Sequence, residues 1–155
     1  MKAFDTMDDS ILLARDDQHI VTLTLNSPDK MNAMNLGMWQ RLGDLMQQLD
    51  ADDAVRCIVV TGAGERAFSA GADIEEFPQT RLNKTQALAY GKVTHRAMQA
   101  MAQSRHPTLA VIHGACVGGG LGRCRFPDEK TPGLLLCVGC ARSVIAQHTL
   151  GGVRR

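Results

Sequence analysis

Apolar and polar positions follow two different periods over the first 50 residues, and each period predicts a different element. The apolar runs "ILLA" (11–14) and "HIVTLTLN" (19–26) flank "RDDQ", a cluster of turn-forming residues. In the second run, Val21, Leu23 and Leu25 share one face, which is the period-two pattern of a strand. The two runs therefore predict a β-hairpin, and the loop "SPDKMNAMN" follows it.

The period changes to three or four residues after Asn35, which indicates an amphipathic helix. Asn35 itself is a suitable N-cap because its side-chain oxygen can accept a hydrogen bond from a free N–H group of the first turn. The apolar positions of this helix are Leu36, Trp39, Leu42, Leu45, Met46 and Leu49.

Two later apolar runs lack alternation, as expected of parallel strands covered on both faces. They are "CIVVT" (57–61) and "TLAVIHG" (108–114). Between them we expect a glycine-punctuated loop, "GAGERAFSAGADIEEF", and a helix over 84–104 that ends before Pro107. Strands that alternate with helices predict an α/β fold with crossover connections. The predicted inward positions of the second helix are Leu88, Met98, Met101 and Ala102.

Composition narrows the class of protein. The chain has 155 residues, a formal net charge of +1, 45% hydrophobic residues and 4% aromatic residues. A nucleic-acid binder would show a basic stripe or base-stacking aromatic residues, so we expect no nucleic-acid partner. No apolar run approaches the roughly 18 residues of a membrane helix, and the acidic N-terminus lacks a signal-peptide pattern. We therefore expect no membrane association, a cytoplasmic location and thiol rather than disulfide cysteines.

Charge and cysteine content both change near Leu121. Residues 1–121 carry 11 basic and 14 acidic residues, whereas residues 122–155 carry 6 basic and 2 acidic residues. Three of the five cysteines also lie after residue 121. We therefore divide the chain into a core at 1–121 and an atypical tail at 122–155.

The most informative chemistry lies in the small-residue loops that follow the two apolar strands. Open α/β sheets bind ligands at the carboxyl ends of their strands, and glycine and alanine let a ligand approach the backbone closely. If each loop directs one N–H group at the same point, the result is an oxyanion hole. The alternative is that the glycines serve only tight turns and close packing.

Three segments, "LNSPDKMNAM", "IVVTGAGERAFSAGADI" and "HPTLAVIHGACVGGGL", resemble the enoyl-CoA hydratase/isomerase (crotonase) family in order and spacing. The resemblance covers roughly residues 10–121. It implies the ClpP/crotonase ββα spiral, in a truncated form here, and an acyl-CoA substrate. It also implies a homotrimer or hexamer. Coenzyme A would arrive as part of the substrate, with no permanently bound cofactor.

The resemblance also implies roles for particular residues. The oxyanion would be bound by the backbone N–H groups of Ala72 and Gly119. The acyl-CoA site would be lined by Ala70, Asp73, Ile74 and Glu75. The nucleotide and the pantetheine arm would lie beside Lys30, Met31 and Ala33. Close relatives often have lysine at the position of Glu75, so a phosphate contact there is not carried over.

The acid–base half of the expected site is missing from the sequence. Hydratases of the family carry a glutamate three positions after the middle glycine of the run, and this chain has Gly122 there. The region of the family's second glutamate reads "LCVGCARSV" and has no counterpart in the family. We hypothesise that residues 122–155 derive from a frameshift or an altered gene end, or are disordered. The rival to an enzyme is then an inactive fragment that binds CoA weakly or not at all.

Three other motifs suggest different chemistry. "GAGERA" matches the G-x-G-x-x-A dinucleotide fingerprint, which requires a helix directly after the second glycine. "AFSAG" is one residue short of a nucleophile elbow and would make Ser69 the nucleophile. "CVGC" (137–140) is half of a zinc site, to which Cys124 and His148 could contribute. We expect incidental thiols and no metal site, because a single short pair is a weak signal.

Overall fold

A computed structural model describes residues 9–118 and the backbone of the strand at 135–138. Ten helices and strands are described, together with 3₁₀ turns at Pro28–Lys30 and Ile74–Glu76. In chain order they are β1 (Ile11–Arg15), β2 (Ile20–Leu25), α1 (Leu36–Asp50), β3 (Cys57–Gly62), β4 (Ala67–Ser69), α2 (Phe77–Thr80), α3 (Lys84–Ala102), β5 (Thr108–Val111), β6 (Ala115–Cys116) and β7 (Leu135–Val138).

The predicted hairpin is confirmed. β1 and β2 pair antiparallel with Ile11 opposite Leu25. The turn between them is closed by Asp16, whose Oδ1 accepts the N–H groups of Gln18 and Ile20 at 2.9 and 2.8 Å. A short acidic side chain therefore performs the turn-forming role expected of the "RDDQ" cluster.

The main sheet has the order β1-β2-β3-β5-β7, and every pair after the hairpin is parallel. Val21, Leu23 and Leu25 point into one hydrophobic core with Ile58 and Val60 of β3. Buried residues of α1 and α3 belong to the same core, so both long helices cover the same face of the sheet.

The expectation that β3 and β5 are covered on both faces is wrong for the described part of the chain. Burial alternates along β3, where Cys57, Val59 and Thr61 are only half-buried. On β5, Val111 is 40% exposed. An apolar run without alternation thus shows that both faces of a strand are suited to burial. Whether the second face is buried depends on another element that packs against it, and the run does not show whether such an element exists.

Each of the two long helices begins directly after an asparagine that caps it. The Asn35 side chain accepts the N–H of Met38 at 2.8 Å, which confirms the predicted cap of α1. Asn83 caps α3 in the same way through the N–H of Gln86 at 2.9 Å.

The predicted inward face of α3 is correct only in part. Met101 is buried and Met98 is half-buried, whereas Leu88 is 58% exposed and Ala102 is exposed. The actual contact line runs through Tyr90, Ala97 and Met101. Leu88 precedes Tyr90 by two residues, about 200° around the helix, so it cannot share that face.

The sequence prediction missed the short strands β4 and β6, which form a separate parallel pair with Ser69 opposite Cys116. Strands of three and two residues are too short to show a period. This small sheet matters because it brings the two small-residue loops together.

The predicted tail contributes one described element. The backbone of β7 pairs in parallel with β5, with Leu136 beside Leu109 and Val138 beside Val111. These four residues therefore continue the sheet of the predicted core, and the rest of 122–155 lies outside the described residues. No helix within the described ranges is long and apolar enough to cross a bilayer.

Candidate functional site

The two small-residue loops lie side by side where β4 and β6 end. The N–H of Val117 donates to the carbonyl of Ser69 at 3.1 Å, which extends the pairing of the two short strands. A Cβ atom placed on Gly118 would lie 3.7 Å from the Cα of Gly71 and 4.0 Å from the carbonyl oxygen of Ala70. The beginning of the glycine run therefore lies against the segment that contains Ala72.

The backbone around Ala72 is held in an orientation in which its own N–H group donates to no described residue. Met34 forms a parallel bridge with Ala72, in which the Met34 N–H donates to Gly71 and the Asp73 N–H donates to Met34. These bonds measure 2.7 and 2.9 Å. In such a bridge the N–H of the bridged residue points away from the partner strand. Among the hydrogen bonds formed between described residues, none is donated by Ala72. The other predicted donor, Gly119, lies outside the described residues.

A buried asparagine organises the loops around this site. Asn32 is fully buried and has a left-handed backbone with φ 54°. Its Oδ1 accepts the N–H of Ser27 at 3.0 Å, and its Nδ2 donates to the carbonyls of Ala63 and Ala67 at 2.9 and 2.8 Å. One side chain thus joins the 27–32 loop to both ends of the loop after β3. No local pattern in the sequence marks Asn32, although asparagine tolerates left-handed geometry better than most residues.

Ser69 is structural rather than nucleophilic. It is fully buried, its Oγ donates to the carbonyl of Asn32 at 2.9 Å, and it accepts the N–H of Gly71 at 3.2 Å. A nucleophile needs an adjacent general base and access to substrate. Both described partners of the Ser69 hydroxyl are backbone groups, so the nucleophile-elbow interpretation does not fit this geometry.

Three of the predicted site residues form an ion cluster. Lys30 Nζ lies 2.8 Å from Asp73 Oδ2 and 2.6 Å from Glu75 Oε2. The Asp73 side chain is 10% exposed, whereas that of Glu75 is 73% exposed. The hydrogen bond from Lys30 is the largest cause that lowers the pKa of Asp73, and the bonds to Asp73 and then Glu75 raise the pKa of Lys30. Asp73 and Lys30 are therefore both charged at neutral pH.

The other predicted site residues lie on the two segments that this ion cluster joins. The Met31 carbonyl accepts the Ala70 N–H at 2.9 Å, and Ala33 and Ala70 are both half-buried. Ile74 is 72% exposed and Met31 is 38% exposed. One exposed apolar side chain therefore lies on each of the two segments that the ion cluster joins.

The dinucleotide-binding interpretation is wrong. It requires a helix directly after Gly64, and the structure has strand β4 at Ala67–Ser69 instead. The proposed zinc ligands Cys124, Cys140 and His148 lie outside the described residues, and only the backbone of Cys137 is described. Within the described ranges, no three histidine, cysteine, aspartate or glutamate side chains lie close enough together to hold a metal ion.

A family model and similar proteins both relate the chain to the enoyl-CoA hydratase/isomerase family. The enoyl-CoA hydratase/isomerase family model matches residues 20–124. The chain is 35% identical over 115 residues to YngF of Bacillus subtilis, which is provisionally described as an enoyl-CoA hydratase/isomerase, and the match covers 74% of this chain and 44% of YngF. It is 38% identical over 109 residues to 4-chlorobenzoyl coenzyme A dehalogenase-2 of Arthrobacter, covering 66% of this chain and 38% of the dehalogenase.

The fold is shared with solved structures. An enoyl-CoA hydratase/carnithine racemase from Magnetospirillum magneticum superposes with a TM-score of 0.71 at 44% identity, over 77% of this chain and 45% of that structure. The α/β crotonase fold predicted from the sequence is thus confirmed. The chain spans less than half the length of the curated relatives named above.

Proposed function

Because the chain belongs to the enoyl-CoA hydratase/isomerase family, we propose that it binds acyl-CoA thioesters and stabilises an enolate-like oxyanion with two backbone N–H groups. The observation that carries this proposal is the Ala72 N–H, which no described residue accepts and which lies on the segment against Gly118. A backbone donor that no described residue accepts, beside a second glycine loop, is suited to stabilise a developing anion.

The proposed chemistry follows from the placement of the donors. The N–H groups of Ala72 and Gly119 would both donate to the thioester carbonyl oxygen and withdraw electron density from it. The α-carbon then becomes more acidic and the β-carbon more electrophilic. Loss of one such donor typically costs about 2.7–4 kcal/mol of transition-state stabilisation.

The surroundings of Ala72 support a thioester with an apolar arm. The exposed side chains of Met31, Ile74 and Val117 offer apolar surface at the edges of the two loops. Ala33 and Ala70 are small, so the chain of a ligand could approach their backbone. We propose that these residues, together with Lys30, Asp73 and Glu75, line the acyl-CoA site.

The reaction after carbonyl polarisation is a separate question, because the relatives differ in it. One is a dehalogenase, and another, from Escherichia coli, is a 1,2-epoxyphenylacetyl-CoA isomerase that is 30% identical over 115 residues. Hydration needs a positioned acid or base, and Gly122 occupies the position at which the resemblance places a glutamate. The second candidate function is therefore acyl-CoA binding and carbonyl polarisation without turnover.

The test is a titration with crotonyl-CoA whose thioester carbonyl carries ¹³C, followed by calorimetry and by infrared spectroscopy. Calorimetry gives the Kd, and a shift of the carbonyl band to lower frequency reports hydrogen bonds to the oxygen. We expect saturable binding and a shift to lower frequency. Absence of binding, or binding with the band position of free thioester, would contradict the proposal.

An Ala72→Pro variant makes this test specific, because proline has no N–H group. We expect the variant to bind CoA but to lose much of the carbonyl shift. Circular dichroism and urea unfolding establish whether the variant is folded. If it is not, the band position in the unaltered chain still decides the proposal.

A further inference from the structure

The loop at 28–34 and the segment at 70–75 are joined by both backbone and side-chain bonds, and Ala72 lies between the attachment points. On the backbone side, residues 31 and 34 bond to residues 70, 71 and 73. On the side-chain side, Lys30 reaches Asp73 and Glu75. Among the described contacts, Lys30 is therefore the only residue of this loop whose side chain forms ion pairs with the 70–75 segment.

Lys30 reaches out from a fixed backbone. Its own N–H donates to the carbonyl of Ser27 at 3.0 Å, and its carbonyl accepts the N–H of Ala33 at 3.0 Å. The next two residues, Met31 and Asn32, have left-handed backbones with φ 51° and 54°. Such geometry persists only where surrounding contacts determine it. The base of the Lys30 side chain therefore cannot drift with the segment that its ammonium group binds.

Asp73 transmits this attachment to Ala72. Its N–H donates to Met34, its Oδ1 accepts the N–H of Glu75 at 3.0 Å, and its Oδ2 is held by Lys30 at 2.8 Å. Because the Asp73 side chain is only 10% exposed, solvent screens its pair with Lys30 less than it screens a fully exposed pair. Glu75 is 73% exposed, and solvent screens an ion pair of that kind.

We propose that Lys30 is a positioning residue that acts through Asp73 to hold the Ala72 N–H in its orientation. This inference rests on the proposed function, because it concerns the donor assigned there to the oxyanion. It differs from the role that the resemblance implies, in which Lys30 lies beside the nucleotide of coenzyme A. Its ammonium group is already engaged by two carboxylates within 2.8 Å.

The two roles predict different losses in the same titration. We expect Lys30→Met to lose most of the carbonyl band shift of bound ¹³C-labelled crotonyl-CoA, with little change in the Kd of free CoA. Lys30→Arg should retain most of the shift, because a guanidinium group can also pair with Asp73. Asp73→Asn should reproduce the loss caused by Lys30→Met.

Arg96→Met is the matched control, because it also removes a cation from an ion pair, with Asp44 at 2.8 Å, and that pair joins α3 to α1 rather than the 28–34 loop to the 70–75 segment. We expect it to keep the full band shift. Urea unfolding of each variant identifies any that is not folded, and Asp73→Asn decides the question if Lys30→Met fails to fold.

The outcomes are distinct. Retention of the band shift in both Lys30→Met and Asp73→Asn would overturn the inference while the proposed function stands. A weaker Kd for CoA with an unchanged band shift would also overturn it and assign Lys30 to the nucleotide. Absence of binding or of the shift in the unaltered chain would instead remove the proposed function, and the inference with it.

Discussion

Asn32 shows how much of the site depends on single side chains. It is fully buried, and its amide bonds to the Ser27 N–H in its own loop and to the Ala63 and Ala67 carbonyls at the two ends of the loop after β3. Its only direct bond to the 69–73 segment is through its backbone carbonyl, which accepts the Ser69 hydroxyl. Loss of the amide would leave buried donors and acceptors without partners, which costs more than loss of a solvent-exposed hydrogen bond.

We therefore expect Asn32→Ala to lower the free energy of unfolding by about 2–4 kcal/mol. Urea unfolding followed by circular dichroism measures this change. Asn26→Ala is the control, because the Asn26 amide donates to the Asp9 carbonyl in an exposed bond, and its removal should cost much less. Equal losses in the two variants would contradict the structural role assigned to Asn32.

Asp73 should make stability depend on pH in the acidic range. The folded state lowers its pKa from 3.8, mainly through the hydrogen bond from Lys30. A lowered pKa means that the folded state favours the carboxylate, so the stabilisation is complete above the unfolded pKa and is lost as pH falls through the folded pKa. Lys30 remains protonated throughout this range, because the ordinary pKa of lysine, 10.5, already lies far above it and the two carboxylates raise the pKa of Lys30 further.

We expect the unaltered chain to lose unfolding free energy between neutral pH and pH values below about 4, and Asp73→Asn to lose less over the same interval. Urea unfolding at several pH values gives both curves. Parallel curves for the two proteins would show that Asp73 carries no such linkage.

At the residue scale, the sequence predicts contacts within one helical turn but not contacts between distant segments. The Asn35 cap bonds to a residue three positions away. The Lys30–Asp73 pair joins residues separated by 43 positions, and the Asn32–Ala67 bond spans 35. No local pattern identifies such partners, so Lys30 and Asp73 were assigned to different parts of the site.

At the scale of elements, close approach of the backbone distinguishes glycines that look alike in sequence. A Cβ atom on Gly62, the last residue of β3, would lie 2.6 Å from the Ala67 carbonyl oxygen and 2.7 Å from the Asn32 amide nitrogen. On Gly91, in the exposed surface of α3, a Cβ atom would meet nothing within 4 Å. The absence of a side chain at Gly62 lets the end of β3 approach the loop that follows it. Glycine at position 91 only lowers the stability of α3.

We therefore expect opposite effects from the same substitution. Gly91→Ala should raise the free energy of unfolding by about 0.5–1 kcal/mol, because alanine is the better helix former. Gly62→Ala should lower it, because the backbone of the neighbouring strand must move. Thermal or urea unfolding of the two variants checks both signs, and stabilisation by Gly62→Ala would contradict the packing described for β3.

Elements with a sustained period or an uninterrupted apolar run were predicted, and shorter ones were not. The hairpin, α1, α3 and the two parallel strands β3 and β5 all lie where the sequence places them. The pair β4–β6 was missed because pairing, rather than local propensity, makes those few residues a sheet. β5 similarly finds a further neighbour in β7, a strand from the segment predicted to be atypical.

At the scale of the whole molecule, family membership and the reaction are separate matters. A crotonase fold supports several reactions among the relatives, so the fold does not determine which one this chain performs. Which reaction occurs then depends on the acid–base group. The chain has Gly122 at the position that the resemblance assigns to this group.

We expect hydration of crotonyl-CoA to be slower than in a hydratase of the family by about 10²–10⁴-fold, the usual contribution of a positioned acid or base. Absorbance of the conjugated thioester measures the rate with purified protein of confirmed mass. Turnover equal to that of a family hydratase would contradict this prediction and would require a carboxylate from elsewhere in the chain. The cytoplasmic location and the oligomeric state stay predictions.

The sequence alone was sufficient for the family, the fold class and the long elements, because period and motif are properties of neighbouring residues. It was also sufficient to identify the two loops as candidates, since small residues after strands permit close approach. Their juxtaposition, the orientation of the Ala72 N–H and the Lys30–Asp73–Glu75 cluster arise only when distant segments fold together. Each depends on hydrogen bonds or ion pairs between residues about 35 to 50 positions apart, which only the folded chain brings into contact.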